Sequence, residues 1–277
     1  MNKIRRIIQI ICTVLGNGYI LGFAGGKIFT GEAKSFCVPF LNCYSCPGAL
    51  GACPIGALQA VLGDRNYRFS FYALGMMLLF GVLLGRVVCG FLCPFGLLQD
   101  LLHKIKIPKL KVSPRIDKPL RYLKYVILVV FVVALPLLLT DAFGTGTPYF
   151  CKLLCPAGTL EGGIPLAIAN ESIRDSLGFL FCYKSALLLS IVILSIVIYR
   201  PFCKYLCPLG AFYGLFNKVS FFRLSVDAKR CTGCGHCEKT CPMQVPVRQQ
   251  CNSAECIRCG RCKDNCRDKA IEFGLRR

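Results

Sequence analysis

Twenty-one cysteines stand among 277 residues, and most fall in patterns suited to thiolate ligands. Two runs near the C-terminus share one spacing, C-x2-C-x2-C-x3-C: Cys231, Cys234, Cys237 and Cys241, then Cys256, Cys259, Cys262 and Cys266. Three thiolates at these intervals wrap one corner of an iron–sulfur cubane, and the fourth is carried away to the other cluster. The spacing therefore assigns Cys231, Cys234, Cys237 and Cys266 to one [4Fe–4S] cluster, and Cys256, Cys259, Cys262 and Cys241 to a second. A single C-x2-C pair would suit zinc, but two complete four-cysteine runs favour iron. Pro242 follows the first run, whereas Arg267 holds the matching place in the second, which removes a turning device but no ligand. Cys251 reads as a bystander thiol, and His236 as a residue facing solvent or a sulfur. Arg258, Arg261, Lys263 and Arg267 crowd the second run, where they either raise its potential or present a docking face to an acidic donor.

A second motif, Cys-Pro-x-Gly, occurs at Cys53, Cys93, Cys155 and Cys207. Cys89, Cys151 and Cys203 each stand four residues before one of these, while Cys53 has Cys43 and Cys46 upstream. Proline fits the first position of a helix, where its missing N–H is no loss, so the preceding cysteine becomes the N-cap. Its sulfur then meets free backbone N–H groups, which favours thiolate and an anionic cluster. Glycine two residues on allows close approach. The stretches CGFLCPFGLLQDLLHKIK and CKYLCPLGAFYGLFNKVS lie 114 residues apart and indicate a duplicated two-helix unit. Cys89, Cys93, Cys203 and Cys207 make an inner set with the four ligands a [4Fe–4S] cluster needs. Cys43, Cys46, Cys53, Cys151 and Cys155 make an outer set of five. Disulfides, Cu(I) or redox-active thiols are the alternatives at the outer set. Cys12 and Cys182 read as packing residues, Cys37 is unassigned, and Lys184 either snorkels, the favoured reading, or balances charge near the outer set.

The elements that carry these cysteines are apolar. Hydrophobic residues make up 55% of the chain and charged ones 17%, and the mean hydropathy is +0.55, too apolar for an ordinary soluble domain. Uncharged or nearly uncharged runs at Ile7–Gly26, Phe69–Gly85, Tyr125–Thr140 and Phe179–Tyr199 are expected to be four membrane spans; buried helices of a soluble protein are the alternative. Pro54–Leu62 is apolar enough for a re-entrant segment. The segment from His103 to Lys124 holds eight lysines and arginines against Asp117, whereas Asp141–Arg174 is acid-balanced. By the positive-inside rule the first loop and both termini, including the basic Met1–Arg6, lie in the cytoplasm and the chain is an inner-membrane protein. The net charge of +20 is then mostly a topology signal, and nucleic acid is not needed as a partner. Only two histidines, His103 and His236, are present, which excludes several bis-histidine haems. The fold expected is a membrane all-α domain over residues 1–220, followed by a small α+β ferredoxin-like domain over 221–277.

This combination of Cys-x3-Cys-Pro pairs with a C-terminal two-cluster module resembles the NapH/NosR-type membrane polyferredoxins. The resemblance implies electron transfer, with the extra outer cysteines as the departure from the family pattern. The leading reading is an iron–sulfur relay between the cytoplasmic ferredoxin-like module and a redox partner or quinone at the membrane or its outer face. It needs a soluble electron donor or acceptor, and direction is open. No carboxylate pair, nucleophile–base constellation or phosphate loop is present, so the chain reads as an electron-transfer component of an oxidoreductase complex. The alternative is copper reduction or metallocofactor assembly, against which the four methionines, with no methionine-rich strip, argue. A membrane-anchored redox sensor is a third possibility.

Overall fold

The computed structural model describes residues 2–64, 71–139 and 146–275. Met1, Phe69, Thr140 and Asp141, which bound segments named above, lie outside them. The protein is 61% helical, with one small antiparallel sheet. Among the described residues, two helices are long and apolar enough to cross a membrane, Pro114–Leu138 and Phe179–Val197. At 1.5 Å per residue both approach or exceed a hydrocarbon core of ~30 Å. Only 22% and 17% of their apolar windows are buried inside the protein. Core helices of a soluble protein would be mostly buried, so outward apolar faces such as Val129, Leu189 and Ile193 suit lipid instead.

The other two expected spans differ. Phe71–Leu84 is an apolar helix of 14 residues. The run Ile7–Gly26 is not one helix: Asn2–Gly16 stops before Asn17 and Gly18, and Ile20–Gly25 follows as a separate turn. Asn2–Gly16 is amphipathic with its polar face inward. Arg5 and Gln9 are fully buried, while Ile7, Ile11, Val14 and Leu15 are exposed. Arg5 is therefore a packed residue and not a free terminal charge. Likewise the basic segment before the third span is no plain loop. Pro114–Leu138 begins within it, and Asp117 and Lys124 are buried.

Three nine-residue helices, Pro54–Leu62, Pro94–Leu102 and Pro208–Phe216, each start at a proline with cysteine as N-cap. The C-terminal segment is closed by β1 (Phe222–Val226) against β2 (Ile271–Leu275), with Phe222 opposite Leu275 and Val226 opposite Ile271. Leu224, Val247, Cys262 and Ile271 form its own small core. A larger core runs without interruption from Ile55, Phe95 and Phe202 to Met243, Ile257 and Cys259. The C-terminal segment is thus packed onto the rest of the chain and not merely tethered to it.

Candidate metal centres

Each Cys-x3-Cys pair is built on a widened turn. The backbone N–H of Cys93 donates to Val88 O (3.1 Å), that of Cys155 to Phe150 O (3.0 Å) and that of Cys207 to Phe202 O (2.9 Å). These are i to i−5 bonds, the π-type geometry found mostly at functional sites. The second cysteine then caps the next helix. Cys207 Sγ accepts from Gly210 N at 3.4 Å, and Cys155 Sγ from Gly158 N at 3.4 Å.

The inner four, Cys89, Cys93, Cys203 and Cys207, are all buried and lie together. Cys93 and Cys207 each lie within electrostatic reach of Cys89 and Cys203. Two buried arginines cross between the halves: Arg200 Nη1 donates to Cys89 O at 2.6 Å, and Arg86 Nη2 to Cys203 O at 3.0 Å. They crowd two of the four motif glycines. A Cβ at Gly96 would lie 3.0 Å from Arg200 Nη1, and one at Gly210 3.1 Å from Arg86 Nη2. Asp100 anchors the ring. It accepts from Arg200 at 2.7 and 2.6 Å and from Arg5 at 2.8 Å. Burial pushes the Asp100 carboxyl up, but Arg200 and then Arg5 outweigh it and hold it well below the usual range.

Four of the five cysteines of the outer set line one cavity. Cys155 feels Cys151, Cys43 and Cys53, and Cys151 feels Cys53 and Cys43. Cys46 adjoins Cys43 but is not among the residues lining the cavity, and its buried thiol donates to Asn17 Oδ1 at 3.5 Å. Ala49 occupies the place four residues before Cys53, and Cys43 comes in from the preceding loop instead. The four line a cavity of about 750 Å³ together with Cys37 and Lys184. Lys184 Nζ donates to Cys151 O at 3.0 Å, so this lysine faces the thiols; it does not snorkel. Glu161 Oε2 accepts from Cys43 N at 2.8 Å. Burial raises its carboxyl to about 7 despite that bond.

The two sets share a device that the sequence reading missed. Gln99 Nε2 donates to Cys203 Sγ (3.1 Å) while its Oε1 accepts from Phe202 N (3.2 Å). Gln59 does the same at Cys151 Sγ (3.3 Å) and Phe150 N (3.0 Å). Both glutamines stand six residues after a motif cysteine, and Arg86 and Arg200 each three before one. Aligning the repeats beyond their cysteines would have found them.

In the C-terminal segment, Cys231, Cys234, Cys237 and Cys266 line one small cavity. Cys241, Cys256, Cys259 and Cys262 line another. Of the basic residues near the second run, Arg258 is fully buried and spent on backbone carbonyls, among them Leu84 O, Phe222 O and Asn217 O. Arg261 sits over the Tyr199 ring at 5.0 Å. Only Lys263 and Arg267 remain exposed. His236 is exposed, Cys251 Sγ donates to Leu224 O at 3.4 Å, and Cys182 is exposed.

All the cysteines lie among the described residues, and none is in a disulfide. Among the described residues no three His, Cys, Asp or Glu side chains converge closely enough for a single metal ion. A multi-iron cluster spreads its thiolates further than one ion does, and the donor sets fit it: four sulfurs, amide N–H groups aimed at sulfur, and, at the inner set, buried guanidinium charge beside it. Burial, with Glu161 and the neighbouring cysteines adding to it, pushes the Cys43 thiol up to about 12, and burial beside Cys53 and Cys43 does the same to Cys151; burial and then the neighbouring cysteines raise Cys155 and Cys207 well above the ordinary range. The helix N-termini therefore do not by themselves produce thiolates; a bound cation must displace the protons.

Residues 51–72, 66–115 and 185–226 match one 4Fe-4S binding domain family, and residues 224–246 match another. An uncharacterized protein of Methanocaldococcus jannaschii, MJ0749, is 30% identical over 219 residues, covering 77% of this chain and 74% of that one. The putative electron transport protein YccM of Escherichia coli is 30% identical over 213 residues, covering 71% of this chain and 54% of its own. The ferredoxin-type protein NapH of Haemophilus influenzae is 26% identical over 215 residues, covering 73% and 66%. No solved structure matches the chain.

Proposed function

This chain belongs to the NapH/NosR-type polyferredoxins, and on that premise we propose that it is a membrane electron conduit. The exposed apolar faces support four passages through the bilayer: Asn2–Gly16 with Ile20–Gly25, Phe71–Leu84, Pro114–Leu138 and Phe179–Val197. Both termini and the C-terminal module then face the cytoplasm, and the Cys43–Cys155 set faces the outer side. In this reading Cys231, Cys234, Cys237 and Cys266 hold one [4Fe–4S] cluster, and Cys241, Cys256, Cys259 and Cys262 a second. Cys89, Cys93, Cys203 and Cys207 hold a third, and Cys43, Cys53, Cys151 and Cys155 a further one. Each such cluster supplies a one-electron carrier. A bilayer of ~30 Å is too thick for one efficient electron hop, so redox sites must be spaced through it.

The observation that carries the reading is the repeated architecture of the two membrane sets. Each joins cysteines from opposite halves of the chain, and each is fixed by one glutamine that donates to a cysteine sulfur. The residues supply orientation and charge: Gln99 and Gln59 aim N–H groups at sulfur, Arg86 and Arg200 put positive charge beside the inner set, and the apolar core excludes water. A soluble carrier exchanges electrons at the C-terminal module, and a quinone or an outer-face protein does so at the outer set. Copper handling at the outer set is less well supported, because the four methionines form no methionine-rich strip beside the thiols.

Anaerobic counting of iron, sulfide and copper tests this. Twelve to sixteen irons per chain, roughly four per cluster, is the expected result. About eight would confine clusters to the C-terminal module and end the relay reading, and copper in place of the extra iron would favour metal handling.

A further inference from the structure

The two cradles of the C-terminal module are not in equivalent places. The loop of the second, Ala254 to Cys259, lies directly on the inner cysteines. Gly90 follows Cys89, and a Cβ there would overlap Ile257 O, so two stretches of backbone that each carry ligand candidates are in contact. Arg86 spans the same seam. Its Nη2 donates to Cys203 O at 3.0 Å, and its Nη1 donates to Ala254 O at 2.8 Å and meets Glu255 at 3.4 Å. Asn217 closes it from the other side. Its Nδ2 donates to Ser253 O and Cys256 O, both at 2.8 Å, and its Oδ1 accepts from Arg86 N at 2.9 Å. Ile257 and Cys259 share one apolar core with Cys89, Cys93, Cys203 and Cys207.

The first cradle has a different setting. Cys234 is exposed, as are Thr232, Lys229 and Arg230. Its loop is tied within the module, by Arg248 Nη1 on Gly233 O at 2.7 Å and by Thr232 on Asp268 at 2.6 Å.

We propose that the module is divided in use: the Cys241/Cys256/Cys259/Cys262 cradle is a fixed junction to the inner cysteines, and the Cys231/Cys234/Cys237/Cys266 cradle is the port for a soluble redox protein. Gly90, Arg86 and Asn217 are the positioning residues of the junction. The inference rests on the electron-conduit reading above. The step it serves is a one-electron exchange: the protein at the port loses or gains one electron, the centre behind the junction gains or loses it, and no bond of this chain forms or breaks.

Hydrogen exchange on the full-length protein in detergent tests the docking whatever the metal content. Amides of residues 253–259 are expected to exchange at least about tenfold more slowly than those of 231–237, because sub-global opening of a docked loop is rarer than of a free one. Gly90→Val should abolish that protection and leave 231–237 unchanged; Asn217→Ala serves the same purpose if the valine variant does not fold. Electron paramagnetic resonance on the reduced protein should show, beyond the coupling of the two C-terminal centres to each other, coupling of one of them to a third centre in the wild type. The coupling to the third centre should disappear in either variant while the iron content stays the same. Equal exchange in the two loops, or protection and third-centre coupling that survive both variants, overturns the junction. A wild-type iron content of about eight instead sinks the conduit reading, and the exchange pattern still decides the docking.

Discussion

The inner and outer cysteine sets are copies of one plan with different walls. Both take a motif cysteine from the first half of the chain and a Cys-x3-Cys pair from the second. In both, a glutamine six residues past the motif cysteine donates to sulfur and accepts a backbone N–H. The inner set is closed by Arg86, Arg200 and Asp100 and leans on the C-terminal module. The outer set replaces those guanidinium groups with Lys184, admits Glu161, borrows Cys43 in place of a paired cysteine, and opens on a large cavity. A frame duplicated in the chain thus fixes where sulfur sits, while the surrounding charges and access are free to diverge. The inner set is enclosed within the molecule, whereas the outer set lines an open cavity.

The comparison can be broken most severely at the inner set. Replacing Cys93 and Cys207 together with Ser should remove about four irons, keep the C-terminal module's resonance signals, and stop electron flow across reconstituted vesicles. Unchanged flow would remove the inner set from the path. Next in size is Arg200→Gln, which strips Asp100 of its bidentate partner. Breaking one side of a buried pair costs ~3–5 kcal/mol, seen as a fall in Tm, whereas Lys184→Gln removes one half-buried hydrogen bond and should cost about 1 kcal/mol. Equal losses would mean that the two walls are not different in kind.

Smaller effects sharpen the picture. Gln99→Leu and Gln59→Leu each remove an N–H from a sulfur and should lower the reduction potential of one centre only, measured by redox titration of its signal. Both potentials moving together would contradict separate sites. In metal-free protein a small maleimide should label the cavity-lining Cys43 and Cys151 before any of the buried Cys89, Cys93, Cys203 or Cys207, as read by mass spectrometry. Cys46→Ser should leave the iron content unchanged and Cys43→Ser should lower it; the reverse would exchange their roles in the outer set.

Much of this site is legible in spacing. The x2-x2-x3 runs group the C-terminal thiols because the intervals are set by the shape of the cluster loop. The Cys-Pro-x-Gly motif announces a capped helix because proline has one good place at a helix start, and the nine-residue helices begin where that rule puts them. Spacing failed where partners come from afar. Arg5 and Lys124 read as topology charges, yet they are buried against Asp100 and Glu255 at 2.8 and 2.6 Å. Ile7–Gly26 reads as one unbroken apolar run, yet the first helix ends at Gly16 and a separate short one, Ile20–Gly25, follows.

The sequence by itself determined the number of the thiols, the grouping of the two C-terminal runs and the apolar character of the helices, since these follow from local intervals and composition. Tertiary structure alone decided that Cys43 lines the outer cavity while Cys46 does not, that arginines of each half bond to the other's cysteine carbonyls, and that Gly90 lies on Ile257. Those outcomes depend on contacts between segments scores of residues apart, and burial makes such contacts strong without leaving any periodic trace in the chain.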